Sequence, residues 1–336
     1  MYTSLELCAG AGGQALGLHQ AGFKHIALID NDAPACATLR LNNSEHCLGW
    51  GDIVEDDLNS FAVKDASNYA GLIDLVAGGV PCPPFSKAGK QLGQDDERDL
   101  FPAALEIVSK TKPKAVLIEN VSGLLDAKFA EYRKSIDQHF NELGYKTTWN
   151  LLNASDYGVP QLRPRVNLVA LLPEYFDEFK WPQPSQTPAP TVGEVLYDLM
   201  AADGWEGADE WKDKANSIAP TLVGGSKKHG GPDLGPTRAK RQWQALYVNG
   251  HLIGNAPPSR GFAGVRDGYE NMPHLTVRMA ARIQGFPDWW QFSGKKTSSY
   301  RQVGNAFPPP VAKAVGEQIY KALLTVDQMK DTSKVA

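Results

Sequence analysis

Short apolar runs recur along the first half of the chain, each closed by glycine or a polar turn and most followed by helical spacing. Residues 4–9 read as a strand, the glycines at 10, 12 and 13 as a turn, and the stretch to 21 as a helix stopped by Gly22. A second strand at 25–29 ends in Asp30-Asn31-Asp32, a helix covers 33–41, and Gly51-Asp52-Ile53 follows another turn. The runs 72–77, 114–118, 145–152 and 166–171 read as further strands, with helices at 100–111 and 129–143. Strands alternating with helices predict an α/β fold with a doubly wound, mostly parallel sheet.

After residue 172 the pattern changes. Prolines crowd 182–190, tryptophans appear, and regular periodicity fades until about 275. This predicts a separate, smaller, loop-rich domain. Helical spacing returns at 276–283 and at 311–324, the latter opened by Pro308-Pro309-Pro310, and residues 330–336 are expected to fray. The expected division is 1–172 plus 300–336 for the large domain and 173–299 for the small one.

The turn after the first strand carries chemistry. Glycines there let the backbone pass close to a ligand, and the following helix offers free N–H groups. Asp30 lies about 20 positions on, where a ribose hydroxyl is gripped in nucleoside-binding α/β folds. Gly10-x-Gly12-x-x-Ala15 also fits the loose dinucleotide fingerprint, a pattern that many unrelated turns share. An adenosine-containing cofactor is expected, with NAD and S-adenosylmethionine both open.

The strand at 72–77 runs into Gly78-Gly79-Val80-Pro81-Cys82-Pro83-Pro84-Phe85-Ser86. Prolines stiffen this turn and place a thiol at the carboxyl end of a parallel strand, where ligands bind in open α/β sheets. Cys82 is a candidate nucleophile, against the plainer role of a small core hydrophobe. Residues 87–99 are polar and glycine-punctuated, as in a lid or an ordinary solvated loop. The strand at 114–118 delivers Glu119-Asn120-Val121; a carboxylate at that position should be neutral or hydrogen-bonded. In extended chain Gln161, Arg163 and Arg165 share one face as three donors, unless they only form surface ion pairs. Seven Lys/Arg lie between 212 and 241, around the flexible, basic run 219–231 that includes Thr221, Leu222, Lys227 and Lys228. That run is a candidate for phosphate and base-edge contact.

Composition narrows the class. Hydrophobic residues make up 42% and charged residues 21% of 336, as in a water-soluble globular protein, and no apolar run approaches membrane-spanning length. The four cysteines show no metal-site spacing, so no metal is expected. With no basic leader at the start and no paired cysteines, a cytoplasmic location with reduced thiols is expected. The net charge of −4 means that any nucleic-acid contact must come from a local basic face.

Taken together the motifs resemble, in order and over nearly the whole chain, those of the cytosine-C5 DNA methyltransferases. Cys8-Ala9-Gly10-Ala11-Gly12-Gly13 resembles the family's cofactor turn, 79–86 its Pro-Cys nucleophile loop, and Glu119-Asn120-Val121 its Glu-Asn-Val. Gln161-x-Arg163-x-Arg165, the helix 278–287 and the Gly304-Asn305 turn match later motifs, and Thr221-Leu222 resembles a pair common in the target-recognition region. Pro83, Met279 and Ala306 depart from residues common in the family.

The resemblance implies the fold of S-adenosylmethionine-dependent methyltransferases, with S-adenosylmethionine as cofactor and S-adenosylhomocysteine as product. It implies Cys82 as nucleophile on C6 of a flipped cytosine, Glu119 at N3, and Arg165 with Arg163 in support at O2. Cofactor contacts would come from Cys8, Ala9, Gly10, Gly12, Gly13, Asp30, Asp52, Ile53, Pro81, Leu100 and Asn305. DNA contacts would come from Ser86, Lys90, Arg98, Gln161, Thr221, Leu222, Lys227 and Lys228. The expected setting is a monomeric, stand-alone prokaryotic enzyme at the nucleoid, acting on double-stranded DNA beside a separately encoded restriction endonuclease or as an orphan. A transfer-RNA cytosine methyltransferase is the nearest rival, although the Cys-Phe-Thr of that branch is absent. An NAD-dependent oxidoreductase would leave Cys82, Glu119 and the arginines unexplained, and the intact Cys82 and Glu119 argue against a DNA-binding protein without catalysis.

Overall fold

The computed structural model describes residues 1–81, 99–224 and 232–335, with side chains described as far as 332. Cys82, Ser86, Lys90, Arg98, Lys227 and Lys228 lie outside the described residues.

The chain begins with β1 (Thr3–Leu7), α1 (Gly13–Gln20), β2 (Lys24–Asp30), α2 (Ala33–Glu45), β3 (Asp52–Glu55) and α3 (Leu58–Lys64). It continues with β4 (Leu75–Gly78), α4 (Phe101–Thr111), β5 (Ala115–Val121), α5 (Ala130–Glu142) and β6 (Lys146–Asn153). Next come β7 (Gln161–Leu162), β8 (Pro164–Leu171), α6 (Pro173–Phe176), α7 (Val192–Ala201), α8 (Ala208–Lys214) and β9 (Ala219–Pro220). The last elements are α9 (Thr237–Gln244), α10 (Val277–Ile283), α11 (Lys296–Asn305) and α12 (Pro309–Val335).

Two compact units result. The first comprises Met1–Leu152, Pro164–Gln183 and Val311–Ala336; the second comprises Asn153–Arg163 and Pro184–Pro310. Residues 300–310, grouped with the large domain in the sequence reading, cluster with the second unit, as do 153–163.

The first unit holds a seven-stranded sheet in the order β3-β2-β1-β4-β5-β8-β6. Pairings among β3, β2, β1, β4 and β5 are parallel, and β8 runs antiparallel to β5. The mostly parallel, doubly wound sheet expected from the sequence is therefore present. Strand order reverses between β1 and β4, and ligands bind at such switch points beyond the carboxyl ends of the strands.

One core packs Leu5, Leu7, Ala27, Ile29, Val76 and Ile118 against apolar faces of α3, α4 and α5. Under α1 the environment is different. His25 is fully buried; its Nε2–H donates to the Ala15 carbonyl (2.7 Å) and its Nδ1 accepts from the Ser4 hydroxyl (2.8 Å). Burial pushes its pKa down to about 4, consistent with a neutral ring tying β1, β2 and α1 together.

α12 reaches Val335, well past the expected end near 324, and its buried positions (Val311, Val315, Ile319, Leu323, Val326) keep a helical spacing as far as 326. Asp327 fastens it to the amino ends of β1 and β5 and to α6. It accepts from Tyr2 (2.9 Å), Tyr175 (2.8 Å) and Lys114 (2.7 Å), and Lys114 also pairs with Asp74 (3.2 Å). Burial alone would raise the Asp327 carboxyl, but hydrogen bonds from Lys114, Tyr175 and Tyr2 outweigh it and hold the group below the usual carboxylate range. Its folded-state pKa is thus depressed, so its stabilisation is present above the unfolded value and is lost as pH falls through the folded one. Asp327→Ala is expected to lower unfolding free energy by about 1–3 kcal/mol at pH 7 in urea titrations. The gap to wild type should close below about pH 4; a constant gap would count against the linkage.

The second unit is more regular than the sequence pattern suggests. α7 starts with a capping box, Thr191 accepting from the Glu194 N–H while the Glu194 carboxylate accepts from Thr191. Trp205, Trp211, Trp243 and Trp290 are all buried within it.

Candidate active site

The turn between β1 and α1 uses left-handed backbone at Cys8 (φ 50°), Gly10 (φ 54°) and Gly12 (φ 82°). A β carbon at Gly10 would meet nothing within 4 Å, so the backbone there borders open space that a ligand could approach. Gly12 caps α1 without a side-chain hydrogen bond, leaving first-turn N–H groups available. Asp30 stands at the end of β2. Its carboxylate accepts from the Gly10 N–H (2.7 Å) and the Asp32 N–H (2.8 Å), which fixes the turn against the strand end.

Asp52 and Ile53 open β3 in register with Ala27 and Leu28; Asp52 is exposed and Ile53 half-buried. The exposed Pro81 and the half-buried Leu100 are joined directly, the Leu100 N–H donating to the Pro81 carbonyl (3.0 Å). Ala9 is buried, and burial pushes the Cys8 thiol upward, helped by nearby Asp30, Glu6 and Asp57.

Two polar residues flanking this turn escaped the sequence reading. Glu6 in β1 is 0% exposed, and neither carboxyl oxygen has a hydrogen-bond partner among the described residues. Burial pushes its carboxyl well above the usual range. Gln14, in the first turn of α1, is 4% exposed with both amide atoms likewise unpartnered. The signal was a charge at alternate spacing in an apolar strand. These orphaned groups, the open Gly10 backbone and the uncapped helix end fit a polar, adenosine-bearing ligand.

A second cluster gathers at the ends of β4, β5 and β8. Glu119 Oε1 pairs with Arg165 Nε at 2.8 Å, with side chains only 11% and 15% exposed. The other oxygen, Oε2, lies 3.2 Å from where a β carbon on Gly79 would sit. Asn120 donates from Nδ2 to the Val80 carbonyl (2.9 Å) and anchors the same turn. Glu119 thus has a guanidinium beside it rather than apolar surroundings alone. The chain passes from this turn into Cys82, outside the described residues.

Gln161 and Arg163 belong to the second unit and do different work from Arg165. Arg163 is 1% exposed and donates to the carbonyls of Leu222 (2.7 Å), Gly304 (2.9 Å) and Ala306 (3.0 Å). Gln161 accepts from the Leu222 N–H (2.8 Å) and donates to Gln284 Oε1 (2.7 Å), and Gln284 donates to the Ala306 carbonyl. Gln161 and Arg163 bond within the second unit and Arg165 pairs within the first, and the strand assignment is interrupted at Arg163 between β7, ending at Leu162, and β8, starting at Pro164. Within the second unit Thr221 is half-buried and bonded to the Leu162 carbonyl (2.5 Å), Leu222 is buried, and Asn305 is exposed beside Gly224.

Comparison with known proteins gives the family. The family model for C-5 cytosine-specific DNA methylase matches residues 2–321. The Type II methyltransferase M.NgoMIV of Neisseria gonorrhoeae is 55% identical over 331 residues, covering 96% of this chain and 98% of that protein. M.NaeI of Lentzea aerocolonigenes is 54% identical over 320 residues, covering 95% of this chain and 75% of that one. Among solved structures, a putative DNA modification methyltransferase of an E. coli prophage shares the fold at TM-score 0.66 and 24% identity, over 96% of this chain and 100% of that one. The Entamoeba histolytica methyltransferase EhMeth gives TM-score 0.66 at 16% identity, over 96% and 99%. The chain belongs to the C-5 cytosine-specific DNA methylase family.

Proposed function

We propose that this DNA cytosine-5-methyltransferase acts on one cytosine within a short duplex sequence, as the protective partner of a separately encoded restriction endonuclease. The observation that carries the chemistry is the Glu119–Arg165 pair set against Gly79, at the turn leading to Cys82. Cytosine C5 is a poor nucleophile, and the base must leave the stack to be reached. The Cys82 thiolate adds to C6, forming a C–S bond and pushing the ring electrons toward N3 and O2. Glu119 supplies a hydrogen at N3 and Arg165 holds O2, so the displaced charge is met at both atoms. S-adenosylmethionine, when bound, supplies the methyl group that the activated C5 takes. Loss of the C5 proton to a base, with the N3 hydrogen returning to Glu119, then restores the C5–C6 double bond and expels Cys82 as thiolate.

The residues that would hold the cofactor are the turn Cys8–Gly13 and Asp30, with Asp52, Ile53, Pro81 and Leu100. Asp30 stands at the end of β2, fixed by the Gly10 and Asp32 N–H groups, where ribose hydroxyls are gripped in nucleoside-binding α/β folds. The relatives' designation as Type II methyltransferases supports the restriction-modification setting. Among the described residues no helix is long and apolar enough to cross a membrane.

The test is methylation of unmodified plasmid DNA with S-adenosylmethionine, mapped by chemical deamination sequencing, with transfer RNA in parallel. Protected cytosines at one short motif are expected. Modification of the RNA but not the plasmid would overturn the DNA assignment.

A further inference from the structure

The exposed cations of the second unit include two on a single helix, α9. Its sequence, Thr-Arg-Ala-Lys-Arg-Gln-Trp-Gln, holds three cations and no carboxylate in eight residues. Trp243 is fully buried, and Lys240 turns to Asp233 at 2.7 Å, so rotation about the helix axis is fixed. Arg238 and Arg241 are left on the outward face, one turn apart, both exposed and neither in an ion pair among the described residues.

The helix is also seated against the segment compared above with the family's target-recognition region. α9 packs beside β9, which runs directly into Thr221-Leu222. Gly235, in the turn before α9, has φ 107°, and a β carbon there would stand 2.8 Å from Val223 Cγ2. A basic face is ordinarily a solvated one. Here the substrate is a polyanion and the chain carries net charge −4, so attraction to it must come from local cations.

We propose that the Arg238–Arg241 face of α9 grips the phosphate backbone of the DNA and sets the second unit's register on its target. This rests on the DNA-methylation reading. Phosphate contacts position a protein without specifying sequence, so losing them should weaken binding while leaving the methylated motif unchanged.

The experiment measures binding of a labelled plasmid fragment by fluorescence anisotropy over a range of salt, with S-adenosylhomocysteine present. Arg238→Gln with Arg241→Gln is expected to raise Kd about tenfold or more near 0.1 M salt and to lower the slope of log K against log salt by about 2. The pair Arg238→Lys with Arg241→Lys should keep the slope, as should Lys134→Gln with Lys321→Gln in the first unit. Unchanged Kd and slope in the glutamine pair would overturn the proposal. A raised Kd with an unchanged slope would also overturn it, because the loss would then be structural. Wild-type binding without methylation would sink the methylation reading and leave the helix assignment standing.

Discussion

Replacing Cys82 with alanine is expected to abolish methyl transfer, with a fall in kcat of at least about 10⁴ and little change in DNA affinity. The size follows from the substrate. Without a bond at C6 the ring carbon has no enamine character, and the Glu119–Arg165 pair has no developing charge to meet. Serine should rescue little, since its hydroxyl yields far less anion than a thiol at neutral pH. Methyl incorporation into plasmid DNA measures the loss. A second readout isolates the covalent step: DNA containing 5-fluorocytosine lacks the proton that must leave, so wild type should stay attached through denaturation and the alanine variant should not. Activity within tenfold of wild type would remove Cys82 from the mechanism.

Glu119→Gln is the second large effect, an expected drop of about 10²–10⁴ in the single-turnover rate at saturating DNA. The amide keeps the shape and can still donate a hydrogen bond, but it cannot transfer a proton to N3. It also leaves Arg165 without its 2.8 Å carboxylate partner in a site where both side chains are largely covered. Arg165→Ala should cost a similar factor. The double variant should lose much less than the product of the two, because groups that act as one unit are not additive. A Glu119→Gln rate within threefold of wild type would exclude proton transfer at N3 by this residue.

Much of this site was legible in the sequence because strand ends carry short, ordered motifs. Asp30, Glu119 and the turn at 78–81 all sit at ends of strands that the apolar runs had marked. Arg163 was not legible. Alternation along an extended chain placed it with Arg165, but the strand breaks at that residue, and only tertiary structure reveals the three carbonyls it serves. The helices α7 and α8 were hidden in a stretch rich in proline and tryptophan, where short helices depend on buried tryptophans more than on periodicity. The Thr191-x-x-Glu194 capping box was the available signal for the first of them. Glu6 and Gln14 were missed because a polar residue in a buried element looks, in one dimension, like an exposed one.

The hydrogen-bonded circuit of Gln161, Arg163 and Gln284 bears on how sequence preference could be exchanged between relatives. It closes on the main chain at 222, 283, 304 and 306, all within the second unit. A chimera that swaps only a central block, such as 173–299, would ask one parent's arginine to hold the other parent's loop. The piece that carries the circuit whole is instead two segments, Asn153–Arg163 together with Pro184–Pro310, and recombination that keeps them as a pair leaves every bond of the circuit within one parent's sequence.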